Sequence, residues 1–228
     1  MERTVHVHAL APVVAIDLDG TLADYYRHFC WYLENIYRPH AGRHIPDWTK
    51  TPNGEFSEAL GMDKAEYRDA KLAYRQGGLK RSIPLLLRDD VDYLQRIRSK
   101  LGVQVWITTN RPWLRLDNID KDTLYWIDHN LGEVDGVIFS QNKYQDLIDH
   151  VGRARILGVI DDLPENIMAA EELNIPGITR YGPHNTWWLE SHGWNKTVVT
   201  TIIEFYSYVK MWKGEWDAEH PGILQVGS

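Results

Sequence analysis

Short apolar runs alternate with amphipathic stretches along most of the chain. Val13-Val14-Ala15-Ile16 is apolar without alternation, the pattern of a strand buried on both faces, and it ends abruptly in Asp17-Leu18-Asp19-Gly20-Thr21. Leu22, Tyr26, Phe29, Leu33 and Ile36 then recur at helical spacing, which predicts a helix over 22–37 closed by Pro39 and Gly42. From Pro84 the alternation resumes. Leu86, Val91, Leu94 and Ile97 form a helical stripe, followed by a strand over 103–107 that runs into Thr108-Thr109-Asn110-Arg111-Pro112. Helices over 120–129 and 144–151 flank a short strand at 137–139, and a further strand over 156–160 terminates in Asp161-Asp162. A helix over 165–173, a strand over 177–181 and a last helix over 197–213, with Val198, Ile202, Phe205, Val209 and Trp212 on one face, complete the pattern. Strands alternating with helices predict the α/β class: a doubly wound, Rossmann-like parallel sheet with right-handed crossovers and ligands beyond the carboxyl ends of its strands.

Residues 38–82 interrupt this rhythm. Pro46, Pro52, Asn53 and Gly54 punctuate a loop, and a polar helix over 63–75 ends at Gly77-Gly78, with no strand alternation. The expected organisation is a core of residues 1–24 and 83–228 with a small helical insertion, residues 25–82, after the first strand.

Composition narrows the partners. The net charge of −7, without a long Lys/Arg run, argues against duplex DNA or a membrane surface as principal partner. It leaves room for a small phosphorylated substrate in a local basic pocket. No apolar run reaches spanning length, no secretory signal opens the chain, and the single Cys30 excludes an internal disulfide. A soluble, cytoplasmic protein is expected, and association into a homodimer is left open. Cys30 lies between Phe29 and Trp31 and reads as a packed thiol. His6 and His8 lack a third ligand and read as ordinary structure, and Trp187, Trp188 and Trp194 read as packing.

Three predicted strands end in polar chemistry: Asp17 with Asp19, Thr108 with Thr109, and Asp161 with Asp162, with Lys143 on the approach to the third. If these strands are parallel neighbours, the groups meet at one edge. Two acids separated by a single residue repel and lose hydration, so a cation or a reaction must use them. Clustered carboxylates without Cys or His favour Mg²⁺. One Asp is then free to attack phosphorus, Lys143 and a Thr hydroxyl neutralise phosphoryl oxygens, and the other Asp moves the proton.

Ile16-Asp17-Leu18-Asp19-Gly20-Thr21, the apolar strand ending in Thr108, Lys143, and Val159-Ile160-Asp161-Asp162 resemble the four ordered motifs of the haloacid dehalogenase-like superfamily. The resemblance spans about residues 13–181. It implies Asp17 as nucleophile, Asp19 as general acid/base, Thr108 on the phosphate and Lys143 bridging nucleophile and phosphate. It also implies Mg²⁺ held by Asp17, the Asp19 carbonyl and Asp161, with Asp162 in support. Asp19 points to the phosphatase branch, and the insertion resembles a C1-type cap. Leu22-Ala23-Asp24, the segment from Leu79 to Leu87, Lys121 to Trp126, and Leu163-Pro164-Glu165-Asn166 look most like the 5'(3')-deoxyribonucleotidase group, which implies a nucleoside monophosphate as substrate.

Several assignments remain two-sided at this level. Thr109 competes with Thr108 as the hydroxyl on the phosphate. Arg111 either clamps that phosphate or caps the next helix. Tyr25, Tyr26 and Phe29 either line a base pocket or pack in the interior, while Lys80 and Arg81 either steer an anion or form a solvated hinge. Sugar phosphates, 3'-phosphorylated polynucleotides, phosphotransfer and a non-catalytic phosphate-binding module are the rival functions.

Overall fold

A computed structural model describes residues 11–47, 49, 56–112 and 116–221. The first apolar run is β1 (Val13–Asp17), all five residues of it buried. It lies in the middle of a six-stranded sheet in which every pairing is parallel. The other strands are β2 (Gln104–Thr109), β3 (Gly136–Phe139), β4 (Ile156–Asp161), β5 (Gly177–Arg180) and β6 (Val198–Val199). The order is β3-β2-β1-β4-β5-β6, so the chain leaves β1 first to one side and later to the other. β1 therefore sits at the topological switch point, where such sheets open a crevice at their carboxyl edge.

Alternation sends the two faces of β1 into different apolar clusters. Val14 and Ile16 pack with Val105, Ile107 and Ile160 under α4 (Asp89–Leu101), α5 (Ile119–Asn130) and α9 (Ile202–Glu219). Val13 and Ala15 pack with Ile138 and Val159 under α6 (Lys143–Val151) and α7 (Pro164–Glu172). This double coverage is why the strands read as continuous apolar runs. Gly158 is required in β4 because a Cβ there would approach the Trp212 ring of α9 to 2.4 Å. A buried Arg180–Asp90 ion pair (2.9 Å) joins β5 to α4, and Asp90 also accepts from the Ile202 amide at the start of α9 (2.8 Å). α8 (Thr186–Ser191) carries Trp187 and Trp188; both meet His192, and Trp188 also meets Trp194 edge-on, so these rings pack locally.

Between β1 and α4 lie α1 (Tyr25–Asn35), α2 (Phe56–Ala59), α3 (Lys64–Gln76) and a 3-10 turn at Leu79–Arg81. Asp63 caps α3 through the amides of Ala65 and Glu66. The helix expected over 22–37 begins only at Tyr25. Leu22 and Ala23 instead return to the Leu18 carbonyl, and Ala23 bridges Leu85. The Asp24 amide donates to Pro84 and the Leu86 amide to Leu22, so the outgoing and incoming linkers pair with each other. Leu86 accordingly leaves the helical stripe expected of it, and α4 starts three residues later. The last helix is likewise displaced, because Val198 and Val199 join the sheet beside β5 and Thr201 forms a capping box with Glu204. His6, His8, Pro52, Asn53 and Gly54 fall outside the described residues.

Candidate active site

The parallel register aligns the ends of β1, β2 and β4. Asp17 stands opposite Thr108, and Ile16 opposite Ile160, which places Asp161 one step beyond on the same edge. α6 begins at Lys143 on the face of the sheet that Asp17 and Asp161 share. Its ammonium lies 2.5 Å from a carboxylate oxygen of each. Carboxylate oxygens of Asp17, Asp161 and Asp162 lie within 4.8 Å of one another, all buried. Burial first, and then repulsion from Asp161 and Asp162, raises the Asp17 carboxyl well above its ordinary value despite Lys143. Burial and Asp161 do the same to Asp162. Burial would weaken the Lys143 ammonium, but Asp161 and Asp17 outweigh it and push its pKa up. Three carboxylates facing one ammonium leave two negative charges uncompensated. An oxygen-only donor set with that deficit fits a hard divalent cation such as Mg²⁺.

The three carboxylates are held differently. Asp161 accepts from Tyr144 Oη (2.6 Å), Asn166 Nδ2 (3.0 Å) and the Leu163 amide (2.9 Å), and lies beneath the cleft. Asp17 and Asp162 line the cleft itself. Asp162 lies 2.6 Å from His184 Nε2 and accepts from Tyr26 Oη, whose ring stacks on His184 at 3.9 Å. Burial lowers the His184 pKa to about 3, so its imidazole is neutral.

Asp19 belongs to a second constellation. Gly20, at φ +93°, turns the chain and brings the Asp19 carboxylate against two cations. Arg111 grips it through Nε (3.0 Å) and a terminal nitrogen (2.5 Å), and Lys80 Nζ approaches to 2.5 Å. Burial acts to raise Asp19, yet Arg111 and then Lys80 hold it well below the usual carboxylate range. The Asp19 carboxylate is not one of the three clustered oxygens.

The structure thus brings Asp17, Asp19, Lys143, Asp161 and Asp162 together with Thr109, Arg111 and Tyr25, and separates out the others. Thr109 lines the cleft, whereas Thr108 Oγ1 is buried in the sheet without a hydrogen-bond partner. Phe29 is fully buried, packed on Tyr25, Tyr67 and Tyr74, and does not line the cleft. Arg111 neither caps α5 nor stands free. Its remaining nitrogen donates to Thr123. Lys80 is no solvated hinge: it is 2% exposed and lies over the Tyr25 ring at 3.9 Å, while Arg81 pairs with Asp122. Reading the sequence assigned no site role to Tyr144, Asn166 and His184, nor on the cleft wall to Lys71 and Arg75. His184 follows a strand end, in Gly182-Pro183-His184-Asn185, as Tyr144 follows Lys143 and Asn166 follows the Asp161-Asp162 pair.

No protein-family model matches the chain, and no curated protein is similar to it in sequence. Solved structures match its shape. A haloacid dehalogenase-like hydrolase from Bacteroides fragilis superposes with a TM-score of 0.62 at 16% identity, covering 86% of this chain and 99% of that one. The fold is that of the haloacid dehalogenase-like hydrolases. A candidate phosphoglycolate phosphatase from Lactobacillus delbrueckii matches with a TM-score of 0.60 at 13% identity, over 87% of this chain and 98% of that one. A haloacid dehalogenase family hydrolase from Deinococcus radiodurans, solved with phosphate and sodium, gives 0.57 at 16% identity over 90% and 97%. No helix of the described residues is long and apolar enough to cross a membrane.

Proposed function

We propose that the chain is a Mg²⁺-dependent phosphohydrolase of small phosphomonoesters that works through an aspartyl-phosphate on Asp17. The observation that carries this reading is the pairing of two unlike carboxylates two residues apart. Asp17 is clustered with Asp161 and Asp162 around an unmet cation requirement, and Asp19 is held apart by Arg111 and Lys80. Asp17, Asp161 and Asp162 would hold a Mg²⁺ ion, which would supply the charge that keeps the cluster ionised and Lewis-acid stabilisation of the phosphoryl group.

An Asp17 carboxylate oxygen then bonds to phosphorus as the bond to the leaving oxygen breaks, while Lys143 and the Thr109 hydroxyl meet the charge on the phosphoryl group. Asp19 protonates the leaving oxygen, and in the second step takes a proton from the water that releases phosphate. Arg111 and Lys80 favour the ionised, proton-accepting form of Asp19. A phosphomonoester dianion in the cleft offers both cations another partner, freeing Asp19 to carry a proton in the first step.

The cleft bounded by Asp17, Asp19, Thr109 and Arg111 has a volume of about 140 Å³. That accommodates a phosphoryl group with a short carbon chain; sites for larger ligands run from roughly 300 Å³ upward. Lys80 lies over the Tyr25 ring, which also stacks on Phe29, and His184 stacks on the Tyr26 ring, so base stacking on these two rings is restricted. The observations therefore favour small phosphorylated metabolites over the nucleoside monophosphate that the sequence suggested. A phosphate-release screen over short phosphomonoesters, sugar phosphates, nucleoside monophosphates and 3'-phosphorylated oligonucleotides, with Mg²⁺ or with chelator, tests this. Mg²⁺-dependent turnover concentrated in the short esters is expected. No turnover of any of them, or turnover indifferent to chelation, would overturn the reading.

A further inference from the structure

Four basic side chains line the cleft: Lys71, Arg75, Lys80 and Arg111. Lys80 and Arg111 are occupied by Asp19. Lys71 and Arg75 are not occupied by any carboxylate among the described residues; Lys71 lies over the Tyr67 ring at 4.8 Å. Both are partly buried, and they stand one turn apart on α3, a spacing at which like charges repel. Burial and the Arg75 charge together lower the Lys71 pKa. The end of α3 that carries them is fixed against the core, because Asn118 Nδ2 donates to the Arg75 carbonyl (2.8 Å) and to Asp122 (2.6 Å). Two cations held side by side, partly desolvated and without an anion, form an incomplete site.

The transferred phosphoryl group already has its partners at the strand ends, Lys143 and Thr109 beside Asp17, with Arg111 and Lys80 next to them. Lys71 and Arg75 come from a different wall of the same small cavity. We propose that Lys71 and Arg75 bind a second anionic group of the substrate, a carboxylate or a second phosphate, carried a short carbon chain away from the scissile phosphoryl group. This rests on the phosphohydrolase reading and names its substrate class: short phosphorylated acids or bisphosphates. Two guanidinium or ammonium donors facing one carboxylate or phosphate in a partly dry cleft give the charge-assisted bonds that such groups select.

Matched ester pairs test it. 3-Phosphoglycerate against glycerol 3-phosphate probes a carboxylate, and 1,3-propanediol bisphosphate against 3-hydroxypropyl phosphate probes a second phosphate. The wild type should favour the more anionic member of at least one pair by about 10-fold or more in kcat/KM, mainly through KM, and the responding pair identifies the group. Lys71→Met with Arg75→Met should collapse that ratio towards unity, and Lys71→Arg with Arg75→Lys should retain most of it, which a merely structural role would not produce. Equal kcat/KM within both pairs for the wild type would overturn this proposal and leave the phosphohydrolase reading intact. If the wild type hydrolyses neither member of either pair, calorimetric binding decides. Tighter binding of the more anionic member, lost in the double Met variant, supports the site; equal affinity within each pair, or failure of either member to bind, refutes it.

Discussion

Replacing Gly20 by alanine should damage the site without replacing any carboxylate. Gly20 holds φ +93°, and a Cβ built there would lie 2.2 Å from an Asp162 carboxylate oxygen, 2.7 Å from its Cγ and 2.9 Å from the Tyr26 ring. The positive φ alone costs an L-residue about 1–2 kcal/mol. Gly102, left-handed at φ +61° with nothing within 4 Å of a built Cβ, provides a control for that backbone term. Relieving the overlap at Gly20 requires the Asp162 carboxylate to retreat by about 1 Å, and a misplacement of that size costs about 100-fold in rate. Gly20→Ala should therefore lose more stability than Gly102→Ala in urea denaturation. It should also lose about 10- to 100-fold in Mg²⁺ affinity by calorimetry, and turnover should fall about 100-fold at saturating Mg²⁺. If the Gly20 variant binds Mg²⁺ and turns over like the Gly102 variant, Asp162 does not act where the geometry puts it.

Other perturbations probe neighbouring parts of the argument. Phe29→Ala empties a fully buried position between Tyr25, Tyr67 and Tyr74 and should cost about 3–5 kcal/mol in denaturant melts; unchanged stability with a raised KM would instead make Phe29 a substrate contact. Lys143→Met leaves Asp17 and Asp161 facing each other without a counter-charge, and breaking such a buried pair costs about 3–5 kcal/mol. Because the variant raises the folded-state pKa of Asp17 further, its deficit against wild type should be small at low pH, where that carboxyl is protonated in both states. It should grow as pH rises through that raised range; a deficit independent of pH would contradict the electrostatic account. Burial pushes the Cys30 thiol up to about 12, so thiol reagents at pH 8 should react with it only after unfolding, and rapid labelling of the folded protein would contradict its packing.

The strand ends were legible because each apolar run stops at a carboxylate or hydroxyl, and the alternating pattern dictates that these stops share one edge. Which of Thr108 and Thr109 faces the cleft was not, since a shift of one residue reverses the face of a strand. The hinge misled for a different reason. Leu22 fits a helical stripe in one dimension, but its carbonyl is claimed by the Leu86 amide, a pairing across more than sixty residues. Lys80 looked solvated beside Arg81 and Ser82, and only the Asp19 carboxylate and the Tyr25 ring account for its burial. Burial and partner choice arise from tertiary contacts, so the sequence shows which chemistry is present before it shows who neutralises whom.

The covalent role of Asp17 is the claim on which the rest depends. Trifluoroberyllate with Mg²⁺ mimics an acyl phosphate, and ¹⁹F NMR of the wild type and Asp17→Asn, each checked for folding by circular dichroism, reads its capture directly. The account predicts bound fluorine resonances that require Mg²⁺ in the wild type, none in Asp17→Asn, and loss of phosphate release in the same variant. Capture or near-normal turnover by folded Asp17→Asn would contradict it.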